Sequence, residues 1–210
     1  MLFRSDQVTQ LEDFTLKDVK DQTINLADFR GKPTVIKIWA SWCSVCLSGM
    51  ADYVALSSSA TDFNVISLVA PNKNGEKSAE DFKSWFSKLP YEQLTVLLDS
   101  DGTVSDKYGV RAFPTFVYIT SDGTLGKVAV GYQDSETIKK TIEDLEKALK
   151  EGTLKNLNAN QTNPLANLTA RGLADANGLP INPNLDWLKS PNTLKEIYLA
   201  GGCFWGLEIG

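Results

Sequence analysis

Short β-branched runs and amphipathic helical segments take turns along residues 33–150, and this alternation constrains the fold more than any other feature of the chain. The run "PTVIKIWA" (Pro33–Ala40) has the character of a buried parallel strand. Met50, Tyr53 and Val54 follow at helical spacing, so a helix is expected to begin near Cys43 and end near Leu56. "FNVISLVA" (Phe63–Ala70) reads as the next strand, and Ser78 with Asp81 as a helix start. Phe82, Trp85, Phe86 and Leu89 then fall on one helical face. "LTVLLD" (Leu94–Asp99) is strand-like, and "SDGTVSDKYGV" reads as a turn and short helix. "PTFVYIT" (Pro114–Thr120) and "LGKVAVGY" make a hairpin about "SDGT". The closing helix is capped at Asp134 or Ser135, buries Ile138, Ile142, Leu145 and Leu149, and stops at Gly152. Glu136–Lys140, Glu143–Lys147 and Glu146–Lys150 are expected as i,i+4 pairs on its wet side. With a short hairpin near Lys20–Asp21, the order predicts an α/β domain. Its sheet is expected to be mixed, mainly parallel, and covered by helices on both faces.

The formal charge of −5 and the absence of a Lys/Arg block argue against a nucleic-acid partner. No apolar stretch approaches the length of a membrane span, and the first ten residues carry no signal segment. Histidine is absent and cysteine occurs three times, at 43, 46 and 203. That composition excludes Cys/His and Ser/His/Asp nucleophilic sites and leaves a zinc site short of ligands.

"WASWCSVC" (Trp39–Cys46) places two cysteines three residues apart at a strand-to-helix junction. A thiol at a helix start is ionised more readily, because unpaired backbone N–H groups and the positive dipole end favour the thiolate. Cys43, expected to project into solvent, would attack a disulfide, and the more buried Cys46 would resolve the mixed disulfide. Trp39 and Trp42 would make an apolar surround for a partner. The alternatives are a metal site and a pair of packing cysteines.

The "WASWCSVC" motif closely resembles that of the thioredoxin fold, and "VRAFPT" (Val110–Thr115) resembles the cis-proline loop of that fold. The resemblance covers roughly residues 8–150 and implies that Pro114 is cis beside the cysteines, with the Phe113 backbone and Trp42 meeting a bound partner. The strand, loop and helix between Phe63 and Leu89 are similar to the insertion of membrane-tethered, exported thioredoxin-like reductases. Two positions depart from the thioredoxin pattern. Ser44-Val45 stands where Gly-Pro is usual, and Lys37 stands where an acidic proton relay is usual. A buried Lys37 ammonium would favour thiolates as a pKa modulator. The other reading of Lys37 is a strand lysine that snorkels to the surface.

From 151 to 195 asparagine and proline punctuate the chain, which reads as an interdomain linker after a thioredoxin-like domain at 1–150. Residues 196–210, "EIYLAGGCFWGLEIG", resemble the start of a peptide methionine sulfoxide reductase A domain, truncated in this chain. That resemblance implies that Cys203 attacks the sulfoxide sulfur while Phe204 and Trp205 wall the methyl pocket. A fused bacterial methionine sulfoxide reductase of the A/B type has this layout. It implies a thiol–disulfide oxidoreductase that uses no cofactor beyond its cysteine pair and supplies electrons to reductase A and B domains. It further implies re-reduction by an upstream membrane thiol reductase and a place in the periplasm or cell envelope. Sulfoxide reduction itself is not expected from these 210 residues. Two alternatives stand beside this reading. One is an exported reductase for other thiols such as apocytochromes, and the other is a non-catalytic metal or partner-binding module.

Overall fold

The computed structural model describes residues 13–154. The linker and the Cys203–Phe204–Trp205 segment lie outside the described residues. β1 (Thr15–Asp18) and β2 (Thr23–Asn25) form the first hairpin. The Asp18 carboxylate accepts from the Lys20 and Gln22 backbone amides at 2.9 and 2.8 Å, and Asp21 takes the left-handed turn position. A 3₁₀ turn over Leu26–Phe29 leads to β3 (Thr34–Ile38), in which every residue is buried.

α1 (Ser44–Ser48) and α2 (Met50–Ser59) together carry the helix that the sequence predicts as one element, interrupted at Gly49. A Cβ at Gly49 would overlap the Tyr132 ring, so glycine is what lets that ring close on the helix. β4 (Asn64–Val69), α3 (Ala79–Phe86), β5 (Thr95–Leu98), α4 (Thr103–Lys107), β6 (Thr115–Ile119) and β7 (Leu125–Val130) follow, ending in α5 (Ser135–Lys150). α3 starts as expected, with Ser78 Oγ accepting from the Asp81 amide at 3.1 Å and donating to Asp81 Oδ2 at 2.7 Å.

The strands form one sheet in the order β2-β1-β5-β4-β3-β6-β7. It is mixed, as expected, but its parallel part is smaller than the alternation implied: β3–β4 and β4–β5 are parallel, and every other pair is antiparallel. A helical segment between two strands signals a crossover but not the direction of return. Here residues 99–114 wind through the short α4 and left-handed Gly102 and Gly109, then set β6 antiparallel to β3.

Alternation along the buried β3 divides the core. Val35 joins Trp39, Met50, Tyr53, Phe82, Phe86 and Ile138 on the face covered by α1, α2, α3 and α5. Ile36 and Ile38 join Ile66, Leu97, Val104, Tyr108 and Val117 on the face covered by α4 and the 3₁₀ turn. α5 buries Ile138, Ile142, Leu145 and Ala148, with Leu149 half-buried at the stripe's edge. The expected lysine pairs on its wet face are re-partnered. Lys140 meets Asp144 at 2.9 Å and Lys147 meets Glu151 at 3.9 Å. Glu146 accepts from the Ser121 amide and hydroxyl at 2.8 and 2.7 Å, because a fixed backbone donor holds it at less entropic cost than a mobile lysine.

Candidate active site

β3 ends one residue before Trp39, and the turn that follows sets Cys43 at the N-cap of α1. Cys43 Sγ accepts from the Cys46 amide at 3.2 Å, so one of the unpaired donors at the helix start already points at this sulfur. Cys43 and Cys46 are joined by a disulfide with their Cα atoms 5.2 Å apart. The redox-active group is thus the cysteine pair itself.

Burial differs from expectation. Cys43 was expected to project into solvent, yet both cysteines have 0% exposure. The Cys43 sulfur turns inward to Cys46, and both side chains join the larger core, against which Phe113 packs. Its sequence neighbours Trp42, Ser44 and Val45 are all exposed. In this oxidised form neither sulfur is exposed to an attacking thiolate. Trp39 also departs from expectation. It is 1% exposed and packs against Phe82, Trp85 and Phe86, so it supports the turn from within and meets no partner.

The Phe113–Pro114 peptide is cis. Phe113 meets Trp42 edge-on at 5.8 Å, which brings the proline loop to the cysteine turn. The Pro114 carbonyl accepts from the Gly131 amide at 2.8 Å and ties that loop to the end of β7. Trp42, Val45, Val130 and Tyr132 are the large exposed hydrophobic residues among those described. Trp42 and Val45 flank Cys43, and Tyr132 lies over Gly49, while Val130 ends the strand tied to Pro114. Trp42, through Phe113, and Val130, beside the Gly131–Pro114 bond, thus leave exposed apolar surface next to the proline loop.

Lys37 does not snorkel. Its side chain is buried, 2% exposed, and Nζ donates to the Cys46 carbonyl at 3.0 Å. Met50 Sδ lies 4.0 Å away and the Tyr53 ring centroid 5.1 Å away. Burial, with no carboxylate paired to it among the described residues, pulls the ammonium from 10.5 down to about 8. Burial also holds the Tyr53 phenol well above its ordinary value, and its hydroxyl donates to the Ile66 carbonyl at 2.7 Å.

A carboxylate that sequence reasoning missed braces the cysteine turn. Glu76, 8% exposed, accepts from both the backbone amide and the hydroxyl of Ser41, the latter at 2.6 Å. It also accepts from the Lys77 amide at 2.7 Å, while Lys77 Nζ donates to Ser41 Oγ at 2.7 Å and stands over the Trp85 ring. The loop delivering Glu76 is wound through left-handed backbone at Asn72, Asn74 and Gly75. The Asn-Gly content of "PNKNGEK" marks such a loop, but nothing local says where its carboxylate lands. Replacing Glu76 with alanine leaves the Ser41 donors without their acceptor. Urea denaturation of the variant is expected to show a loss of about 1–3 kcal/mol.

Fold and site together define a thioredoxin-like thiol–disulfide oxidoreductase. The chain belongs to the AhpC/TSA family, whose pattern matches residues 8–128. An uncharacterised protein of Haemophilus influenzae is 41% identical over 132 residues, spanning 62% of this chain and 85% of its own length. The thiol-disulfide oxidoreductase ResA of Geobacillus thermodenitrificans is 28% identical over 137 residues, spanning 63% and 74%. Among solved structures, the exposed lipoprotein thioredoxin Etrx1 of Streptococcus pneumoniae superposes with a TM-score of 0.61 at 38% identity. It covers 63% of this chain and 99% of its own. The N-terminal domain of PilB from Neisseria gonorrhoeae gives a TM-score of 0.57 at 26% identity, covering 61% and 87%.

Proposed function

We propose that this chain is the electron-donating part of a methionine sulfoxide repair protein. The reduced domain offers Cys43 as a thiolate at the start of α1. Cys43 attacks one sulfur of a target disulfide, forming a mixed disulfide and expelling the first target thiolate. Cys46 then attacks the Cys43 sulfur and expels the second target thiolate. Two electrons have passed to the target, and the domain holds the Cys43–Cys46 disulfide. Trp42 and the Phe113–Pro114 loop receive the target's backbone beside that sulfur.

The observation that carries the choice of target is the segment "GGCFWG" in the same chain, with Cys203, Phe204 and Trp205 in the pattern of a reductase A nucleophile and its methyl pocket. Two similarities support the setting. The PilB structure that resembles this chain is that of an N-terminal domain, which suits a 1–150 donor domain, a 151–195 linker and a reductase beginning near 196. Etrx1 is an exposed lipoprotein, which suits a site in the periplasm or cell envelope and re-reduction by a membrane thiol reductase.

A second reading, an exported reductase for other thiols such as those of apocytochromes, draws on the similarity to ResA. One experiment separates the two. The reduced protein is mixed with an oxidised peptide methionine sulfoxide reductase A, and its disulfide is followed by thiol labelling. The donor reading expects faster reduction than an equal concentration of a small dithiol gives. Equal rates would overturn it in favour of the general reductase.

A further inference from the structure

Lys37 combines features that a strand lysine rarely shows together. It sits in the middle of the sheet, paired with Ser67 on β4 and Phe116 on β6, with its side chain buried beneath α1. Its ammonium reaches a single backbone acceptor, the carbonyl of Cys46. The groups facing it are the sulfur of Met50 and the ring of Tyr53 from α2, with the phenol of Tyr118 from β6 beyond Tyr53. Both phenols are held above their ordinary values by burial, so neither supplies a negative charge near neutral pH. Among the described residues no carboxylate pairs with Lys37. A buried cation with no counter-charge calls for one that arrives during the reaction.

We propose that Lys37 is a positioning residue that holds the proton of Cys46, pairing its ammonium with the Cys46 thiolate in the reduced protein. The inference rests on the dithiol mechanism above and names the group that activates its second step. In the reduced domain the Cys46 proton resides on Lys37, so that a thiolate and an ammonium, net neutral, occupy the pocket under α1. Once Cys43 has formed a mixed disulfide, the Cys46 thiolate attacks the Cys43 sulfur. The new bond is Cys43–Cys46, the broken bond is between Cys43 and the target sulfur, and the target leaves as a thiolate that takes a proton from water. Lys37 is left as the lone buried ammonium of the oxidised structure. Its lowered affinity for the proton, with a value of about 8, then matches the loss of its partner. Reduction runs the same steps backward, with Lys37 receiving the departing Cys46 thiolate.

The test uses a disulfide whose two halves report separately. The reduced full chain is mixed with 5,5′-dithiobis(2-nitrobenzoate), and coloured thiol is followed between pH 6 and 9. The first release reports attack by Cys43, and the second reports displacement by Cys46. In Lys37→Met and in Lys37→Gln the first release is expected to keep its rate and pH profile. The second is expected to slow by about tenfold or more at pH 7, its midpoint rising toward or past the ordinary thiol value of about 8.5. Melting temperatures that do not fall accompany this result. An unchanged second release, or equal slowing of both releases with a lower melting temperature, would overturn the role of Lys37. A first release whose midpoint lies at the ordinary thiol value in every variant would instead count against the Cys43 thiolate, so the two readings fail separately.

Discussion

Serine at position 43 is expected to remove thiol–disulfide exchange from the domain, whereas serine at position 46 is expected to stop it halfway. A hydroxyl at the N-cap of α1 still accepts the Cys46 amide but does not attack sulfur. The rate with a disulfide target therefore falls by roughly 10³-fold or more in Cys43→Ser. In Cys46→Ser the first attack proceeds and nothing displaces the target, so a covalent adduct of the chain and one target thiol accumulates. Intact-mass measurement after mixing with a disulfide peptide reads both results. Retained turnover in Cys43→Ser would reassign the nucleophile, and an adduct that fails to accumulate in Cys46→Ser would show that Cys46 is not the resolving thiol.

The second large effect concerns stability and has the opposite sign to a typical core substitution. In the oxidised protein the folded Lys37 titrates near 8, against 10.5 for the unfolded side chain. Below pH 8 both states hold the proton and the folded state carries the full cost of a buried charge. Between 8 and 10.5 the unfolded state binds more protons, so the Lys37 contribution to stability rises with pH across that window. Lys37→Met conserves much of the volume and removes the charge. At pH 7 it is expected to stabilise the oxidised domain by about 2–3 kcal/mol, after allowing about 1 kcal/mol for the lost hydrogen bond to Cys46. The gain should shrink as pH is raised from 8 toward 10. Guanidinium denaturation of both proteins at pH 7 and pH 9.5 measures it, and a destabilised variant at pH 7 would show that the lysine is held by favourable contacts. A residue kept at a stability cost beneath the redox pair fits a site where function takes precedence over packing.

Much of this architecture is legible in the sequence, because the signals are local. The β-branched run of β3 shortly before a CxxC, the Ser78–Asp81 cap, and the Asp134 cap and Gly152 stop that flank α5 each follow from a few neighbouring residues. What escaped the sequence depends on distant partners. The direction of β6 beside β3 depends on how residues 99–114 turn. The burial of Cys43 follows from its bond to Cys46 within the core, with Phe113 from another loop against the same core. Glu76 reaches Ser41 across 35 residues of chain, and Tyr132 closes on Gly49 from beyond β7. Lys37 stands out in the sequence by its place before the cysteines, yet only the sheet around it decides between a snorkelling lysine and a buried cation.

The account depends most on the state of one sulfur. Carbamidomethylation of Cys43 by iodoacetamide, followed by peptide mass in the fully reduced protein across pH 4–10, titrates that sulfur directly. A thiolate favoured by the Cys46 amide and the α1 N-terminus predicts a midpoint at or below about 7.5. A midpoint above about 9 would mean that burial outweighs the helix start, and Cys43 would not be the attacking group.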